Sequence, residues 1–175
     1  LMKQKPSQMS RDTFTDVFGS VYEHSRWIAE QVFDSGLTSL SDESSTLFAA
    51  MSEVVDQAGQ DAQLELLRNH PDLAGKLAVS GKLTAASASE QAGAGLDRCT
   101  DAEFDEFTKL NNRYQQRFGF PFIVAVRGLD KERILEQFRH RVQNDWDTEF
   151  DCAVSQVHRI ARLRIDQIIV STEDH

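Results

Sequence analysis

The chain is short of cysteine: Cys99 and Cys152 are its only two, and they form no Cys-x-x-Cys pair. This argues against a disulfide framework and fits two free thiols in a reducing compartment. Histidine is also sparse and scattered. His24, His70, His140, His158 and His175 show neither His-x-x-x-His nor His-Glu-x-x-His spacing, so no metal site is expected. There is no Gly-x-Ser-x-Gly elbow, no P-loop and no Gly-x-Gly-x-x-Gly, and Gly93-Ala94-Gly95 is too short a signal for a phosphate loop. No apolar run approaches the ~20 residues that span a bilayer. The start, Leu1-Met2-Lys3-Gln4-Lys5-Pro6, is basic but leads into polar sequence, unlike a signal peptide. Glu173-Asp174-His175 matches no peroxisomal or retention tripeptide, so a cytoplasmic location is expected. Basic residues are outnumbered, 19 against 28 acidic, giving net charge −9 and a pI near 5.0. That balance argues against nucleic acid or an anionic membrane as partner.

What is present reads as one soluble domain. A chain of 175 residues buries roughly 70% of the surface it exposes when unfolded. Ser10 precedes a helix carrying Phe14, Val17 and Phe18, and Gly19 ends it. Trp27, Ile28, Val32 and Phe33 form a second face, closed by Gly36. Ser41 before Asp42-Glu43 reads as a helix entry, followed by Leu47, Met51, Val54 and Val55 up to Gly59. Ser87-x-x-Glu90 and Thr100-x-x-Glu103 both have the form of a capping box. Asp130 caps a helix with Ile134, Leu135 and Phe138, and a last helix runs from near Asp147 to about Val170. Phe120–Val126 is the one run with strand character, but Pro121 and the lack of a partner strand favour a buried extended segment. The spacing predicts an all-α fold, a single compact helical domain over residues 10–170. Residues 1–9 are expected to be a flexible segment and residues 171–175 a tail.

Three side chains invite a chemical reading. His70 follows the helical run Leu64-Glu65-Leu66-Leu67 and precedes Pro71, which disfavours α conformation at His70 and stops the helix. A side chain held at such an exit suits a general acid or base, although a ring capping the last turn fits equally. Glu90 either completes a capping box or faces a cleft. Arg164 falls inside the final helix's apolar stripe of Phe150, Val154, Val157, Ala161 and Ile168. A guanidinium there must be paired: with a core carboxylate, with water by snorkelling, or with a substrate anion gripped by its planar fork. If only the stripe mattered, Arg164→Leu would stabilise the empty fold. The cysteines read as packing residues rather than nucleophiles.

Taken in order, several blocks resemble one family. They are Phe18-Gly19-Ser20-Val21-Tyr22-Glu23-His24-Ser25 with Trp27; His70-Pro71-Asp72-Leu73-Ala74-Gly75; Ser87-x-x-Glu90-Gln91-Ala92 to Gly95-Leu96; Asn111 to Tyr114 leading into Phe118-Gly119-Phe120-Pro121-Phe122; and Ile160-Ala161-Arg162-Leu163-Arg164. Their order and spacing are similar to the 2-oxo-4-hydroxy-4-carboxy-5-ureidoimidazoline (OHCU) decarboxylases of urate degradation. The resemblance implies a compact helical fold, no metal or organic cofactor, and conversion of OHCU to (S)-allantoin and CO2. It implies His70, Glu90 and Arg164 at the catalytic centre. Pro71, Ser87, Gln91 and the main chain of Phe122, Ile123, Val124, Ala125 and Val126 would line the pocket. A homodimer is expected, with a small-molecule ureide, OHCU, as substrate. The alternatives are a helical ureide-binding module without turnover, and hydrolysis or racemisation of a related hydantoin.

Overall fold

Ser10, Thr100 and Asp130 each accept a hydrogen bond from the backbone N–H three residues on, at Thr13, Glu103 and Arg133, and so start three of the helices. The computed structural model describes residues 4–173; residues 1–3 and 174–175 lie outside the described residues. In chain order the helices are α1 (Arg11–Phe18), α2 (Arg26–Asp34), α3 (Ser44–Gln57), α4 (Gln60–Arg68), α5 (Lys76–Val79), α6 (Ala85–Gly93), α7 (Asp101–Phe118), α8 (Lys131–Arg141) and α9 (Trp146–Glu173). No strand occurs among the described residues, and the fold is all-α as the spacing predicts.

Two local expectations need correction. Ser41 does not open α3. Its hydroxyl accepts from Thr38 N–H in the capping box of a short 3-10 turn, Ser39–Asp42, and α3 begins only at Ser44. Likewise Ser87 does not cap a helix. Thr84 does so one turn earlier, its hydroxyl accepting from Ser87 N–H, which leaves Ser87 inside the first turn and Glu90 in the middle of α6. Two overlapping capping signals competed, and the earlier one prevailed.

The chain packs as two compact units. One takes in the chain up to Asn69 together with the part of α9 from Val157; the other is His70–Gln156. In the first unit α1 packs on α2, α2 on α3 and α3 on α4. Phe14 meets Phe18 and Phe33 at 4.9 and 5.7 Å, and Leu47, Met51, Leu66 and Leu67 are buried. Within the segment expected to be flexible, Pro6–Gln8 forms a 3-10 turn whose Ser7 donates twice to Asp42, at 2.8 Å. Val157, Ala161, Arg164 and Ile165 of α9 are buried here. Tyr22 Oη is 2.8 Å from His158 Nδ1, whose Nε2 is 2.9 Å from Asp56, and Ser44 donates to Asp166.

The second unit is built on aromatic rings. Tyr114 lies 4.4 to 5.9 Å from Phe118, Phe120, Phe122 and Phe138, and Phe122 stacks on Phe138 at 3.9 Å. The helix start at Asp101 shows why local sequence suffices for many boundaries. Thr100 Oγ1 accepts from Glu103 N–H while Glu103 Oε1 accepts from Thr100 N–H. The Thr100 N–H, then Lys131, hold the Glu103 carboxyl below the usual carboxylate range. The carboxylate's contribution is therefore present at neutral pH and lost on acidification. Thr100→Ala removes the hydroxyl cap and is expected to cost about 1 kcal/mol, read as a lowered urea midpoint with unchanged slope. Gly119, at φ +78, ends α7 in the left-handed conformation that other residues adopt only at a cost.

Candidate active site

His70 stands two residues after the end of α4, where Pro71 prevents the helix from continuing. It is buried. Behind it runs the turn from Pro71 to Gly75, which has no regular structure and must be held by side chains. Gln91 on α6 does so twice: its Oε1 accepts from Ala74 N–H at 3.1 Å, and its Nε2 donates to the Asp72 carbonyl at 3.3 Å. Asn111 on α7 donates from Nδ2 to the Leu73 carbonyl at 2.9 Å. Ala74 takes a left-handed φ of +50, and a Cβ on Gly75 would lie 2.7 Å from that of Asp72. The turn following His70 is thus constrained at successive residues, as a side chain of fixed aim requires.

Gln91 was expected against the substrate, yet both ends of its amide are occupied by this turn. Gln91→Leu would leave a buried N–H and a carbonyl without their partner. A loss of about 1–3 kcal/mol is expected, measured as a fall in unfolding free energy. Asn111, quoted in the family blocks but given no role there, belongs with Gln91 as a holder of the turn.

Glu90 is half-buried in the middle of α6, whose N-cap is Thr84. Ser87 is buried one turn before it on the same side of α6, since residues three apart share a helix face. A different face of α6 borders a cavity of about 560 Å³, bounded by Ala74, Leu83, Ala88, Ala92, Leu96 and Phe104. Gln91 reaches this cavity, but His70, Ser87 and Glu90 do not line it. Cys99 lies at its edge with a thiol pushed up by burial, as is that of Cys152, which disfavours either as a nucleophile.

Phe122–Val126 is buried throughout and free of helix or strand. Its main chain is held by side chains from α8 and α9. Arg141 Nη1 donates to the Ile123 carbonyl at 2.7 Å, and Gln156 Oε1 accepts from Ala125 N–H at 2.9 Å. The Arg141 guanidinium lies over the Phe122 ring at 4.5 Å and is paired with Glu149 at 3.0 Å. Glu149 also accepts from Tyr114 and Asn144 and is completely buried. Burial, then the Glu149 carboxylate, pushes the Tyr114 phenol well above its usual range. This network was missed in the sequence, although a signal existed. Arg141 falls on the stripe of Ile134 and Phe138, the same anomaly that singled out Arg164.

Arg164 belongs to the first unit, whereas the other candidate residues belong to the second. Its Nη1 donates to Glu23 Oε2 at 2.7 Å and to the carbonyls of Ser20 and Val21 at 3.2 and 3.4 Å. Both charged side chains are almost fully buried, at 7% and 1% exposure. The core carboxylate is therefore Glu23, and Arg164 is anchored in the empty protein.

No group of three or more His, Cys, Asp or Glu that could hold a metal occurs among the described residues. No described helix is long and apolar enough to cross a membrane.

Comparison with known proteins gives these groups a context. The family model for OHCU decarboxylase matches residues 7–166 and so takes in residues of both units. The chain is 40% identical over 165 residues to the 2-oxo-4-hydroxy-4-carboxy-5-ureidoimidazoline decarboxylase of Haloferax volcanii, covering 94% of each chain. Among solved structures it resembles an (S)-allantoin synthase, with a TM-score of 0.70 and 32% identity over 93% of this chain and 52% of that one. A crystal structure of an OHCU decarboxylase in the presence of (S)-allantoin shares the fold, with a TM-score of 0.69 at 21% identity over 87% of this chain and 96% of that one. With the match running through the His70 turn, Phe122–Val126 and Arg164 alike, the chain belongs to the OHCU decarboxylase family.

Proposed function

We propose that the protein decarboxylates OHCU to (S)-allantoin and CO2, without a metal or organic cofactor. The observation that carries this reading is the 40% identity with the Haloferax volcanii decarboxylase over 94% of both chains. The chemistry explains why a site of ordinary side chains is enough. The bond that breaks joins the carboxylate to the carbon bearing the hydroxyl, and its electron pair moves toward the adjacent ring imine, whose nitrogen takes up a proton. The resulting enol returns to the carbonyl by losing its hydroxyl proton and accepting one on carbon, which sets the stereocentre. The substrate is its own electron sink, so the protein has only to orient it and move protons.

Roles follow from what each residue can do. His70, held by the Pro71–Gly75 turn, transfers the proton on the hydroxyl side. Glu90 accepts hydrogen bonds from ring or ureido N–H groups. Arg164 meets an anionic or carbonyl oxygen of the substrate, an interaction worth about 1.5–3 kcal/mol. Pro71, Ser87 and the main chain of Phe122–Val126 line the pocket, and Gln91 acts through the turn it holds. The family resemblance supports a homodimer. Net charge −9 supports a small molecule rather than nucleic acid as the partner.

The test is a circular-dichroism time course on freshly generated OHCU in chelator-treated buffer. (S)-allantoin should appear faster than in the spontaneous, racemic background, with one CO2 released per turnover. Folded protein that produces allantoin no faster than the blank would sink the proposal. CO2-free consumption of substrate would point to hydrolysis instead.

A further inference from the structure

The buried pair of Arg141 and Glu149 has no role in the reaction as described above, and it is a poor way to gain stability. Burying two charges costs desolvation that their attraction often only offsets, and an apolar pair of similar volume commonly does as well. What the pair does supply is direction. Arg141 grips Glu149 through Nε, at 3.1 and 3.3 Å to the two carboxylate oxygens, and turns Nη1 onto the Ile123 carbonyl. Its guanidinium also faces the Phe122 ring. Gln156, from the first part of α9, fixes the next peptide through its N–H, by accepting from Ala125 N–H.

These two contacts determine where Val124 points. The described peptides are all trans, and a planar trans peptide directs its C=O and its N–H to opposite sides. With the Ile123 carbonyl turned to Arg141, the Val124 N–H points away from Arg141. With the Ala125 N–H turned to Gln156, the Val124 carbonyl points away from Gln156. Val124 is buried, at 5% exposure, yet neither its N–H nor its carbonyl has a hydrogen-bond partner among the described residues. Buried backbone groups are rarely left so, because each loses its water without replacement.

We infer that Arg141, fixed by Glu149, and Gln156 are positioning residues that present the Val124 N–H and carbonyl as a donor and acceptor pair for the N–H and C=O edge of a cyclic ureide. The inference rests on the reading that Phe122–Val126 lines the substrate pocket. It assigns specificity for the ureide edge to main-chain atoms, and the aim of those atoms to side chains that never touch the substrate.

Steady-state kinetics with OHCU, together with inhibition by allantoin, test it in the full-length protein. Gln156→Met removes the acceptor at similar volume, whereas Gln156→Glu keeps one. Arg141→Lys keeps the charge for Glu149 but cannot hold Glu149 and the Ile123 carbonyl at once. Gln156→Met and Arg141→Lys should raise KM and the allantoin inhibition constant about tenfold, with kcat changed far less. Gln156→Glu should stay within about threefold of wild type. If folded Gln156→Met keeps both constants while only its melting temperature falls, Gln156 is merely structural and the inference is overturned. Should Arg141→Lys fail to fold, the Gln156 pair decides alone. A wild type that binds allantoin without turning over OHCU would refute the proposed function, and the variants' allantoin affinities, read by calorimetry, would still decide the inference. A wild type that does neither would sink both.

Discussion

His70→Asn is expected to lower turnover by about two to four orders of magnitude, the range that a positioned acid or base contributes. The substitution keeps a polar side chain but removes the imidazole, a ring able both to accept and to donate a proton. The melting temperature should move by no more than a few degrees, because Pro71 and the Gln91 and Asn111 contacts that shape the turn remain. Those contacts are all made to main-chain atoms of Asp72, Leu73 and Ala74, none to the imidazole. The measurement is the initial rate of (S)-allantoin formation, beside a thermal melt of the same preparation. Near-wild-type turnover in a folded variant would remove His70 from the mechanism. A collapse of the melting temperature would instead make it a structural residue.

Arg164→Leu is expected to destabilise the protein by about 3–5 kcal/mol, the usual cost of leaving one member of a buried ion pair alone. For a chain of this length that corresponds to a fall of roughly 6–20 °C in melting temperature. The sequence suggests the opposite outcome, since leucine would complete the apolar stripe of α9. The structure reverses that expectation through Glu23, whose carboxylate is 1% exposed and 2.7 Å from Arg164 Nη1. Removing both charges in Glu23→Leu/Arg164→Leu should recover most of the lost stability while turnover stays lost. Arg164→Leu melting with the wild type would mean that the Glu23 pair carries no stability in solution. A double variant that regained turnover would exclude Arg164 from the reaction.

Both predictions depend on a division of labour between short and long range. The helix starts at Ser10, Thr100 and Asp130 were legible because cap and capped N–H lie three residues apart. Pro71 was legible as a stop because it acts through its own backbone. Even here, proximity limits the reading. Thr84, not Ser87, caps α6, and Ser41 joins Thr38 in the box of a 3-10 turn instead of opening α3, so a cap-like residue alone misplaces both helix starts.

The sequence by itself determined the helical class, the family, and the residue types available for proton transfer and anion binding. Only the tertiary structure decided what those residues are attached to. It paired Arg164 with Glu23, set Gln91 and Asn111 on the turn after His70, and turned Arg141 toward Ile123. A hydrogen bond between near neighbours is fixed by backbone geometry that a few residues specify. A buried charge chooses its partner from whatever the packed fold brings within reach, because leaving it alone is too costly, and that choice has no local signature.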